Sequence, residues 1–117
     1  MTEPINTDIA QKTAWMIAWL WERSQPQVEE RLRLLERAAA ANRQGEMEDE
    51  QRTAAQDIAH KLAGSLGMFG FLLASKIASE LEQLFESGNP DPGLLVELTG
   101  QLRGSLERRE QGIGSRE

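Results

Sequence analysis

Apolar residues recur along the first third of the chain at a spacing near 3.5. Ala14, Trp21, Val28 and Leu35 fall on one row, and Ala18, Leu32 and Ala39 run beside them, with polar Gln25 the one break. That period keeps a single helical face apolar. Asn6, Thr7 or Asp8 offers the starting cap. The phase survives Pro26, so the stretch is either one long bent helix or two helices, 7–24 and 26–43, with Ser24 as cap and Pro26 in a first-turn position. Gly45 can end it in a left-handed conformation. A second helix is expected over 47–69, with acidic Glu46–Glu50 complementing its dipole and Ala55, Ile58, Leu62, Leu66 and Phe69 as its stripe. A third, over 72–87, places Leu73, Ile77, Leu81 and Leu84 or Phe85 inward. The run Ser87-Gly88-Asn89-Pro90-Asp91-Pro92-Gly93 is a turn, with Asp91 as the next cap. The last helix, 91–109, carries Leu95, Leu98, Leu102 and Leu106; Gly100 and Gly104 weaken it or admit a close neighbour. The tail 110–117 is expected to fray. No stretch alternates with the period of a strand. The pattern predicts a single all-α domain over 1–117: an antiparallel up-down four-helix bundle with an additional N-terminal helical segment that caps it.

Composition narrows the function. A net charge of −6 argues against nucleic acid, which needs basic surface, and disfavours anionic membranes. The longest apolar run, Ala14 to Trp21, is far short of the roughly 20 residues of a membrane span. The N-terminus lacks the basic start of a signal peptide. With no cysteine there is no disulfide framework, thiolate metal site or cysteine nucleophile, a pattern that fits a cytoplasmic protein. The Glu46–Glu50 cluster reads as a solvated helix end, so no metal site is expected. Trp15, Trp19 and Trp21 are expected to pack over one end of the bundle; any left exposed would mark a partner surface.

The chemistry centres on His60, the one histidine. At about 100° per residue, Gly64 and Gly67 lie within roughly 40° of it, while the apolar stripe lies over 100° away. The ring therefore points out of the core, with two missing side chains beside it. Glycine costs about 1 kcal/mol against alanine in a helix, so the pair implies close approach by something large. The chain has no Walker lysine loop, dinucleotide fingerprint, second histidine or cysteine. What remains is a solitary imidazole, largely neutral near pH 7 at an ordinary pKa of about 6.5 and able to act as a nucleophile toward phosphorus.

The run Ala59-His60-Lys61-Leu62-Ala63-Gly64-Ser65-Leu66-Gly67-Met68-Phe69-Gly70-Phe71 resembles the signature of histidine-containing phosphotransfer (HPt) domains. His60, Leu62, Gly64, Ser65 and Gly70 match it, and Ala74, Ala78, Leu81 and Glu82 fit the family's following helix. One departure is Ala63, where many members carry Lys or Arg; Lys61 can supply the charge from a direction about 100° away. The resemblance implies that His60 takes a phosphoryl group from the phosphoaspartate of a response regulator receiver domain or hybrid histidine kinase, and passes it to another receiver. It implies a monomeric carrier with no ATP site and no cofactor of its own, the partner bringing the carboxylate and the Mg²⁺. Gln56 can orient the ring or be a plain surface residue. Lys61 can meet the phosphoryl oxygens or simply be solvated, and Ser65 can hydrogen-bond or pack. Ala63, Met68, Phe71 and Leu72 can form an apolar docking patch, unless Phe71 turns inward where the helix stops. Two rival classes stand beside this one. A helical docking module would bind receivers without being phosphorylated. A kinase dimerisation domain would need a stable dimer, an ATP-binding domain, and usually an acid where this chain has Lys61.

Overall fold

The computed structural model describes residues 3–115, with side-chain environments for 9–107. Four helices follow one another: α1 (Glu3–Arg43), α2 (Asp49–Met68), α3 (Leu72–Glu86) and α4 (Pro92–Ser115). The loops between them are short, which forces neighbours antiparallel. The helices pack in ring order, α1 on α2, α2 on α3, α3 on α4 and α4 on α1, the topology of an up-down-up-down bundle. Leu32, Leu35, Leu62, Leu66, Leu81, Phe85, Leu95 and Leu102 are fully buried at its centre.

The junctions follow from their residues. Gly45, at φ 73°, closes α1: its N–H reaches the Asn42 carbonyl and that of Glu46 reaches Ala41. Gly70, at φ 87°, ends α2 in the same way, with the Phe71 N–H on the Leu66 carbonyl. Asp91 caps α4 by accepting the Leu94 N–H at 3.0 Å, ahead of Pro92. Arg52, in the first turn of α2, donates to the Phe85 carbonyl at the end of α3 at 2.6 Å and locks that edge of the pair. On the opposite edge Arg103 of α4 donates to Glu36 at 2.8 and 3.0 Å and to Glu29 at 2.8 and 3.3 Å, both on α1. The first of these pairings, with Glu36, raises the Arg103 pKa most; the hydrogen bond from Arg103 holds the Glu29 carboxyl below its ordinary value.

Four expectations change. The first segment is one helix, not 7–24 and 26–43. Pro26 and Glu22 are both exposed, so the carbonyl that Pro26 cannot satisfy faces water and the helix continues. That helix does not fold back to cap the bundle. Its 41 residues span about 60 Å at 1.5 Å each, matching the 63 Å long axis of the molecule, and its N-terminal part stands clear. Leu73 is exposed, and Ala74 and Ala78 take the inward positions beside Ile77, Leu81 and Phe85. The space above Gly100 is open, so no neighbour approaches there. α4 runs on to Ser115 through most of the tail expected to fray, of which residues 116–117 lie outside the described residues.

Candidate functional site

His60 stands on the outer face of α2, its side chain 70% exposed, because Ala55, Ala59, Leu62 and Leu66 hold the opposite face in the core. Its Nδ1 meets Oε2 of Glu82, on α3, at 3.1 Å. A carboxylate only accepts, so this contact assigns the proton to Nδ1 and leaves Nε2 with a free lone pair. Nε2 has no protein partner among the described residues. The ring sits at the edge of an open hollow lined by Thr53, Gln56, Asp57 and Glu82.

The two glycines beside the ring do different work. A Cβ on Gly64 would meet nothing within 4 Å, so the space next to His60 is open to a partner. A Cβ on Gly67 would come within 3.2 Å of Ser75 Oγ, which donates to the Ala63 carbonyl at 2.7 Å. Gly67 thus serves the close packing of α2 on α3, not access to the ring. Ser75 reads as its counterpart in the hairpin.

The other predicted residues divide. Gln56 lines the hollow, half-buried, but Glu82 is the ring's hydrogen-bond partner. Lys61 is drawn to Asp57 at 3.0 Å, one turn back on α2. Ser65 is half-buried, and its carbonyl accepts the Phe69 N–H that helps end α2. Met68 and Leu72, 67% and 73% exposed on either side of the α2–α3 turn, leave an apolar surface, with Ala63 half-buried behind them. Phe71 leaves that patch. It is buried and stacks on Trp21 at 4.5 Å, which also meets Phe69 edge-on at 5.4 Å. Of the three tryptophans, then, Trp21 packs over the end of the bundle as expected. Trp15 and Trp19 do not; they are exposed on the projecting part of α1.

Glu82 was not assigned to the ring by its sequence, where it is a polar residue between core positions 81 and 85. The signal was positional. In an antiparallel pair turning about Phe71, His60 and Glu82 are equally far from the turn, as are Gly67 and Ser75.

A four-helix bundle that presents one solvent-facing imidazole, held at Nδ1 and free at Nε2, defines the phosphotransfer class of helical bundle. Comparison with known families agrees. The Hpt domain family matches residues 20–112, and the chain belongs to that family. It is similar to Protein RcaC of Microchaete diplosiphon, with 33% identity over 78 residues. That stretch is 67% of this chain and 12% of the relative, so the chain spans a small part of that protein. No solved structure matches it. Among the described residues no group of three or more His, Cys, Asp or Glu side chains is placed to hold a metal ion. No helix is long and apolar enough to cross a membrane.

Proposed function

We propose that this protein is a phosphorelay carrier whose His60 accepts a phosphoryl group from the phosphoaspartate of a receiver domain and hands it to the aspartate of another. Nε2 attacks phosphorus as the acyl phosphate O–P bond breaks, and the receiver carboxylate leaves with the bonding pair. The new N–P bond makes the ring cationic while Nδ1 keeps its proton, and the Glu82 carboxylate 3.1 Å away offsets that charge. The reverse attack by a second carboxylate restores the neutral ring. Such transfer depends on in-line positioning and charge neutralisation. On this reading the domain supplies a fixed ring and open space above Gly64, while the receiver or hybrid kinase brings the carboxylates and the Mg²⁺. The carrier is stoichiometric and works in the cytoplasm without an ATP site. Met68 and Leu72 give the receiver an apolar footing of the adaptable kind methionine provides, and Lys61, released from Asp57, can meet the phosphoryl oxygens.

The observation that carries this reading is the His60–Glu82 contact on an otherwise open helical face. The test is transfer from a phosphorylated receiver domain to the wild type and to His60→Gln. An acid-labile, base-stable label that disappears in the variant is the expected result. Receivers that bind without labelling would turn the assignment to a docking module, with Ala63 as the leading reason.

A further inference from the structure

The projecting half of α1 has no partner within the chain. Every residue from 9 to 20 is exposed. Yet Ile9, Trp15, Met16, Ile17, Trp19 and Leu20 are large and apolar, and Lys12 is the one charged residue among the twelve. Trp15 is 70% exposed; Trp19, 46% exposed, has only the Arg23 guanidinium over its ring at 4.8 Å. Lower on the same helix, Val28, Leu32, Leu35 and Ala39 are buried against the bundle. Their row continues in phase through Trp21 to Ala18 and Ala14, which nothing covers.

We propose that this segment is a self-association surface, on which two copies pair the N-terminal halves of α1 antiparallel about a two-fold axis near Trp15. A row of period 3.5 that packs helices in its lower half is shaped to receive a helix in its upper half. Aromatic side chains present up to about 250 Å² each, so the two exposed tryptophans offer about 300 Å², and the four aliphatic side chains add a similar area. Two copies bring about 1,200 Å² of apolar surface, where stable interfaces begin. Antiparallel pairing follows from sterics. Below Trp21 the same face is occupied by the chain's own bundle, so a parallel partner would drive one bundle into the other, whereas an antiparallel one sets them at opposite ends. A membrane surface fits less well. An interfacial helix carries a basic polar face, which this stretch lacks, and the chain is acidic.

The pairing differs from that of a kinase dimerisation domain because each chain completes its own four-helix core. It also leaves the site free. His60 lies ten residues along α2 from the Gly70 stop, so it is about 15 Å below the Trp21 level, while Trp15 rises about 9 Å above it. The proposal therefore stands apart from the phosphoryl-transfer reading, although it departs from the monomer that the family resemblance implied.

The experiment is sedimentation equilibrium of the full chain and of Trp15→Glu/Ile17→Glu, with circular dichroism to confirm the fold. The wild type is expected at twice 13.1 kDa and the variant at 13.1 kDa, with the dissociation constant raised at least a hundredfold and labelling of His60 unchanged. The chain has no cysteine, so orientation is read by disulfide formation. Trp15→Cys should cross-link at the axis and Ile9→Cys should not; a parallel pair would link both. A monomeric wild type at about 100 μM, the upper range for a weak dimer, overturns the proposal. So does a dimer that survives the double substitution, or a wild type that stays monomeric and binds phosphatidylcholine–phosphatidylserine vesicles through this segment.

Discussion

Replacing each of the two glycines beside His60 by alanine should give opposite results. In a helix interior the exchange gains about 1 kcal/mol from backbone entropy. At Gly64 the new methyl meets nothing within 4 Å, so the whole gain should appear, raising the melting temperature by about 4 °C for a domain this size. At Gly67 it would sit 3.2 Å from Ser75 Oγ, which is tied to the Ala63 carbonyl. Moving that hydroxyl breaks a hydrogen bond worth about 1 kcal/mol, so the gain should cancel. In a Ser75→Ala background the nearest remaining atom is Cβ at 3.9 Å, an ordinary contact. There Gly67→Ala should recover its 1 kcal/mol, a coupling of that size in a double-mutant cycle. Urea denaturation of the variants measures all of this. Receiver-to-His60 transfer should show the reverse order, with Gly64→Ala slowed about tenfold although more stable, because its methyl stands in the partner's space, and Gly67→Ala nearly unaffected. Equal stabilisation at both sites, with no coupling to Ser75, would refute the claim that helix packing is what requires glycine at 67. Destabilisation by Gly64→Ala would refute the open space beside the ring.

Glu82→Gln should slow transfer about tenfold, or ~1.4 kcal/mol, with unchanged melting, because it removes the charge facing the imidazolium but keeps a side chain of the same shape; unchanged single-turnover rates would remove Glu82 from the mechanism. Arg103→Met should cost about 1–2 kcal/mol in urea denaturation, at the lower end for charged hydrogen bonds because these groups are partly solvated. It should also flatten the acid limb of stability. Glu29 is depressed in the folded state, so its contribution is complete above the unfolded carboxylate value of about 4.3. It is lost as pH falls through the lower folded value, and a variant whose stability falls as steeply as wild type below pH 4 would count against the pairing. Asp91→Ala should cost about 1 kcal/mol by removing the cap on Leu94 N–H, read as a lower urea midpoint with unchanged slope.

The helices were legible in the sequence because each carries its own apolar stripe. Leu95, Leu98, Leu102 and Leu106 lie where their spacing put them, and Gly45 and Asp91 mark real ends. The outward direction of His60 followed from the same arithmetic, since Leu62 and Leu66 fix which face is inside. Local rules were weaker where two positions were equally apolar. Leu73 and Phe71 sit on either side of the α2–α3 start, and only the Trp21 stack decides that Phe71 goes in and Leu73 stays out.

The sequence by itself determined four amphipathic helices, their breaks, and one nucleophilic imidazole on a face cleared by glycine, because periodicity and capping are properties of neighbouring residues. Only the tertiary structure decided what reaches that imidazole from another helix. Glu82 and Ser75 act across the α2–α3 pair, at a distance along the chain that no local pattern encodes, and their placement separates Gly64, which opens the site, from Gly67, which lets the helices close. It likewise left the N-terminal half of α1 without a partner, since a stripe predicts that a face will be covered but not by what.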